Sequence, residues 1–104
     1  MYALVVKLYL HTAADAAAFD RLVADTVAAI AEHEPHTVLY VAHTVEGEPL
    51  SRVIYEVYRD RDAFEEHQRQ PHLRNFLEQR NNYVASARVE FLAPTTSKGL
   101  PATP

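Results

Sequence analysis

The stretch Ser51-Arg52-Val53-Ile54-Tyr55-Glu56-Val57-Tyr58-Arg59-Asp60-Arg61-Asp62-Ala63-Phe64-Glu65-Glu66-His67-Gln68-Arg69-Gln70-Pro71-His72 sets the architecture. Ser51 to Arg59 is rich in β-branched and aromatic residues and reads as a strand. Asp60 can cap the N-terminus of a short helix covering Ala63 to Arg69. Pro71 then breaks that helix, or opens a second one at its first turn, where a missing N–H costs nothing. Leu73, Phe76, Leu77 and Arg80 follow at helical spacing and supply the second helix's inner face.

Working back from Ser51, Gly47-Glu48-Pro49 predicts a turn and His36 to Glu46 a strand, so the two strands make a hairpin. Pro35 ends a long helix from Ala13 to Glu32, because the residue before a proline is pushed out of the α region. Phe19, Leu22, Val23, Thr26, Val27 and Ile30 form that helix's buried stripe. Thr12 caps its start, with Asp15 reaching back in a capping-box arrangement. Tyr2 to Leu10 reads as the first strand, with Leu4, Val6, Leu8 and Leu10 on one face. Working forward, Asn81-Asn82 loosens the chain and Val84 to Leu92 reads as the last strand. The proline-bearing remainder, residues 93–104, predicts a flexible tail. The order β-α-β-β-α-β over residues 2–92 is the ferredoxin-like α+β unit, an antiparallel sheet with helices on one face.

A sheet with one covered face and one wet face alternates apolar and polar residues. These strands carry apolar side chains on both faces: Val38, Tyr40 and Ala42 oppose Leu39, Val41 and Val45, and Ile54 and Tyr58 oppose Val53, Tyr55 and Val57. At about 25 cal/mol per Å² of apolar area, leaving the second face wet forgoes several kcal/mol. Sheet-to-sheet pairing in a homodimer is the expected remedy. The alternative is a monomer with its large aromatics lying flat and partly solvated.

The composition narrows the function classes. The 104 residues are 48% hydrophobic and 23% charged, with a net charge of -4, which describes one globular domain with no basic stripe for nucleic acid. There are no cysteines, which excludes disulfides, thiolate metal sites and thiol nucleophiles. The first residues carry no basic n-region and no run is long enough for a bilayer, so a cytoplasmic protein with no membrane partner is expected. Two glycines form no phosphate-cradling loop, so no nucleotide or flavin cofactor is expected.

Two segments carry a family resemblance. Ile54 to Phe76 resembles the signature segment of the antibiotic-biosynthesis-monooxygenase superfamily: a strand ending Glu-x-Tyr, an acidic cap, an aromatic, then two histidines a short gap apart. Glu34-Pro35-His36-Thr37-Val38-Leu39-Tyr40 resembles the family's Glu-Pro-Gly-x-x-x-Tyr, with His36 where glycine is usual. The resemblance implies a dimeric α+β barrel with a pocket between sheet and helices in each subunit. The family includes cofactor-independent monooxygenases of quinols and polyketide phenols, haem-degrading enzymes and an isomerase of phosphorylated autoinducer-2. In the resemblance the polyketide and haem branches rely on a pocket Trp and the haem branch also on an Asn in the first strand; this chain has no Trp, and its first strand no Asn, which argues against haem degradation. The paired histidines sit closer to the quinol-oxidising and isomerase branches.

His67 and His72 are therefore the expected catalytic residues, since an imidazole titrating near pH ~6.5 gives or takes protons at neutral pH. Their structural alternative is to cap helix carbonyls or sit in solvent. Tyr58, Tyr40, Glu56, Arg74, Phe64 and Phe76 are the expected substrate-binding residues. Glu56 shares a face with Ile54 and Tyr58 and needs a partner or a raised pKa; a cross-strand ion pair with Lys7 is the plainer account. No metal site is expected, because three or more ligands must converge. The leading expectation is a cofactor-independent monooxygenase of a small quinol or polyketide-type phenol, with O₂ as co-substrate. The alternatives are an isomerase of a small phosphorylated hydroxy-ketone, in which Arg74 meets the phosphate, and a non-catalytic dimeric ligand-binding module.

Overall fold

The computed structural model of the chain describes residues 1–102. Its elements are β1 (Tyr2–Leu10), α1 (Ala13–His33), β2 (Thr37–Val45), β3 (Glu48–Tyr58), α2 (Arg61–Gln68), α3 (Pro71–Arg80) and β4 (Val84–Leu92). The strands form one antiparallel sheet in the order β2-β3-β1-β4. This is the ferredoxin-like α+β arrangement, with the second helical segment split in two. Thr103 and Pro104, the last two residues of the expected tail, lie outside the described residues. From Ala93 to Ala102 the chain forms neither helix nor strand.

Local chemistry explains the element ends. The Thr12 side chain accepts the Asp15 N–H at 3.1 Å and opens α1; the reciprocal bond from the Asp15 side chain does not form among the described residues. The hairpin turn is Glu46-Gly47 rather than Gly47-Glu48-Pro49, so β3 starts at Glu48. Gly47 has φ 79°, a value that an L side chain at this turn would resist. Pro49 is tolerated because it lies beyond the last β1 partner of β3, Ser51, which pairs with Tyr9. Asp60 accepts the Ala63 N–H at 2.8 Å and starts α2. Pro71 opens α3 rather than merely ending α2, and the Gln70 carbonyl takes the N–H groups of both Leu73 and Arg74.

The apolar stripe of α1 meets the sheet face carrying Leu4, Val6, Leu8 and Leu10. Phe19 and Phe76 touch across α1 and α3 with ring centroids 5.9 Å apart. Each such fully buried side chain stabilises the fold by about 1.5–3 kcal/mol. Arg52 clamps β3 to α1 through two bonds to Asp20, at 2.8 and 3.0 Å. The opposite sheet face bears Val5, Val41, Val53 and Tyr55, half-buried, with Lys7 bonded to Glu48 at 3.2 Å. Lys7 therefore does not pair with Glu56, which projects from the other face of the sheet.

Candidate active site

The site begins where α1 ends. Glu34 keeps its backbone N–H on the Ile30 carbonyl at 2.9 Å and turns its side chain inward, 7% exposed. A carboxylate at a helix C-terminus opposes the helix dipole, so its burial needs compensating donors. Three are supplied. Thr37 Oγ1 donates to Glu34 Oε1 at 2.7 Å, His67 Nδ1 lies 2.7 Å from the same oxygen, and His72 Nε2 bonds the second oxygen, Oε2. Burial alone would raise the Glu34 pKa, but the bonds from His67, His72 and Thr37 together hold it below the usual carboxylate range. An ionised carboxylate only accepts, so both imidazoles donate, which assigns the proton of neutral His67 to Nδ1. In that neutral form His67 Nε2 keeps its lone pair free.

That nitrogen faces a cavity. His67 is 2% exposed, and its Nε2 lies 3.9 Å from Glu56 Oε1. The cavity holds about 180 Å³ between the sheet and the two short helices. Its walls are Leu4, Val6, Leu8, Ile54, Leu73 and Leu77 with the rings of Tyr40, Phe64, Phe76 and Phe91, and its polar groups are Glu56, His67, Gln68 and Arg80. Tyr58 stands behind this wall, fully buried, and donates to Glu56 Oε1 at 2.5 Å. Its ring packs against His67 and edge-on against Phe64, with centroids 5.2 and 5.3 Å away.

The electrostatics separate the two carboxylates. Burial raises the Glu56 pKa, against the opposing pull of Tyr58, His67 and Arg80, while the bonds from His67, His72 and Thr37 lower that of Glu34. Two acidic groups pushed apart in this way are suited to complementary proton-transfer roles. Burial, with Glu56 nearby, also raises the pKa of Tyr40 and Tyr58, so both phenols stay protonated as donors. Among the described residues no group of three or more His, Asp and Glu side chains is placed to hold a metal ion.

The expected site residues divide into three positions. His67, Glu56, Tyr40, Phe64 and Phe76 line the cavity. His72 and Tyr58 do not; they grip Glu34 and Glu56 from behind. Arg74 is exposed on α3 and does not line the cavity, whereas Arg80, at the end of the same helix, does. Glu34, Thr37 and Arg80 were not expected as site residues. Glu34 had a signal, as an acid closing a long helix before a proline, and Arg80 had another, as a charge at the end of an apolar stripe.

The raised pKa of Glu56 predicts a stability effect of definite sign. The unfolded chain releases this proton in the ordinary carboxylate range, and the folded protein releases it higher. Between the two the folded state binds more protons, so stability falls as pH rises through that window. Glu56→Gln is expected to lessen that fall, gaining on the parent as pH rises above the ordinary carboxylate range in urea titrations. A constant gap between the two proteins across those pH values would refute the assignment.

A model of the antibiotic biosynthesis monooxygenase family matches residues 1–79, and the chain belongs to that family. No curated protein sequence matches it. Its fold is shared with several solved structures. A Bacteroides thetaiotaomicron protein assigned to antibiotic biosynthesis monooxygenases is 17% identical, with a TM-score of 0.85, 97% of this chain covered and 94% of that one. A Caulobacter crescentus protein of the same assignment is 21% identical, with a TM-score of 0.85 and coverages of 91% and 90%. SnoaB from Streptomyces nogalater, a cofactor-independent oxygenase solved as its N63A mutant, is 20% identical, with a TM-score of 0.81 and coverages of 94% and 96%.

Proposed function

We propose that the protein is a cofactor-independent monooxygenase of a small quinol or phenol. The observation that carries this reading is the free Nε2 of His67 at the wall of an apolar cavity, its ring held by the buried carboxylate of Glu34. A phenol or quinol that gives its hydroxyl proton to this nitrogen becomes electron-rich enough to react with O₂. For a quinol the balance is benzene-1,4-diol plus O₂ to 2-hydroxy-1,4-benzoquinone plus water, with the substrate supplying all four electrons. A C–O bond forms to the ring, a ring proton passes to the base, and the O–O bond breaks as water leaves. His67 holds the proton between these events, Glu56 and Tyr40 offer hydrogen bonds to substrate oxygen, and the apolar walls exclude water. The SnoaB likeness supports the class of chemistry.

The purified protein is expected to consume oxygen faster than the uncatalysed rate on at least one member of a quinol and anthrone panel. No acceleration on any member would sink the reading. An isomerase of a small hydroxy-ketone is favoured by one observation, the Glu56 carboxyl, its pKa raised by burial, lying 3.9 Å from His67 Nε2. Such a pair can move a proton between adjacent carbons through an enediol without consuming oxygen.

The reading includes a homodimer and a cytoplasmic location. No helix among the described residues is long and apolar enough to cross a membrane. The half-buried face of Val5, Val41, Val53 and Tyr55 supports pairing of two sheets. Sedimentation equilibrium is expected to give a dimer for the parent and a monomer for Val53→Asp, which sets a charge in that face. A monomeric parent would remove the dimer from the reading.

A further inference from the structure

The charges around the cavity say more about its occupant. Arg52, Arg59, Arg61, Arg69 and Arg88 each have a carboxylate within 4.0 Å. Arg21 and Arg74 lie exposed, where water serves them. Arg80 is half-buried at the end of α3, borders the cavity, and its side chain has no hydrogen bond or ion pair among the described residues. A partly desolvated guanidinium with no carboxylate within 4.0 Å among the described residues, acting on Glu56 only at longer range, is a candidate anion site on an apolar vessel.

The nearby acids do not fill it. Glu34 is committed to Thr37, His67 and His72, and Glu56 takes the Tyr58 hydroxyl. Burial also raises the Glu56 pKa, which weakens the repulsion that a ligand anion meets there. The space is small. An apolar cavity of about 150 Å³ holds benzene, so about 180 Å³ seats one substituted ring in full. Tyr40, Phe64, Phe76 and Phe91 provide edges and faces for that ring.

We propose that the cavity selects a one-ring phenol or quinol bearing an anionic substituent, its anion on Arg80 and its acidic hydroxyl at His67 Nε2. This deepens the monooxygenase reading and rests on it for the role of the hydroxyl. The anion recognised is a ring carboxylate or a phosphate ester, and the choice of ligands separates the two. The rim, formed by the exposed Leu77, Val89 and Phe91, leaves extra fused rings in contact with water.

The test is anaerobic titration calorimetry at pH ~7.5, where a benzoate is fully ionised. The ligands are 2,5-dihydroxybenzoate, its neutral amide 2,5-dihydroxybenzamide, phenyl phosphate and 1,4-dihydroxyanthracene. The benzoate is expected to bind about tenfold more tightly than the amide, the scale of one charge-assisted pair. Arg80→Gln is expected to erase that ratio and Arg80→Lys to keep part of it, each with the parent's circular dichroism and melting temperature. A tighter phenyl phosphate assigns the anion to a phosphate ester. Equal binding of acid and amide, a preference that survives Arg80→Gln, tighter binding of the three-ring diol, or no binding of any one-ring ligand overturns the proposal. Oxygen uptake is measured separately. Selective binding without uptake leaves this site standing and removes the oxygenase reading; uptake without the anion preference does the reverse.

Discussion

His67→Asn is expected to keep the fold and to lower turnover by about two to four orders of magnitude, the usual contribution of a positioned general base. Asparagine places an amide N–H near the position of the imidazole Nδ1–H, so the bond to Glu34 Oε1 can persist. What it lacks is the second nitrogen, the atom that faces the cavity and Glu56. The variant therefore separates the histidine's bond to Glu34 from its proposed role of taking the substrate proton. The comparison is kcat on the best quinol of the panel against the melting temperature of the same preparation. A large fall in kcat with a melting point within a few degrees of the parent identifies Nε2 as the base. Unchanged kcat would mean that His67 is a structural partner of Glu34 and that the chemistry lies elsewhere. His67→Ala is the harsher control, because it also strips a buried acceptor of its donor. Oxygen consumption discriminates between the readings, since an isomerase would lose turnover in the same variant without ever consuming O₂.

The fold was legible because its determinants are local and periodic. The 3.6-residue stripe from Phe19 to Ile30, the alternation in Tyr2 to Leu10 and the Asp60 cap each state their element within a few neighbours. The errors fall where a tertiary partner decides. The hairpin turn moved by one residue because Pro49 needs no ladder partner at the end of β3, a fact of sheet register rather than of sequence. Glu56 was placed on the correct face by parity, yet its partner is Tyr58 two residues along the same strand, not Lys7 across it. The candidate site was half legible. His67, singled out by type and motif, lines the cavity, and the apolar spacing of Leu73, Phe76 and Leu77 sets Arg80 rather than Arg74 on the side of α3 that meets it.

Glu34→Ala is expected to be the most destabilising single substitution at the site, costing about 3–5 kcal/mol, as when one member of a buried charged cluster is removed. Thr37, His67 and His72 would all lose their common acceptor. Domains have about 5–15 kcal/mol in total, so the variant would stand close to its unfolding threshold on warming. Charge and packing make different predictions for the pH dependence. The folded-state pKa of Glu34 lies below its ordinary value, so its contribution is fully present above that value and lost as pH falls through the folded one. The deficit of the variant should thus be largest near neutrality and shrink in acid, where the parent also loses the charge. Urea unfolding of parent and variant at pH ~7 and pH ~3.5 measures both deficits. A deficit independent of pH would assign the loss to the cavity left by the side chain. Glu34→Gln refines the result: it fills the same space and still accepts from one donor, but turns an amide N–H₂ toward the other imidazole. If the carboxylate is what orients both rings, the glutamine variant recovers the packing part of the stability and little of the turnover.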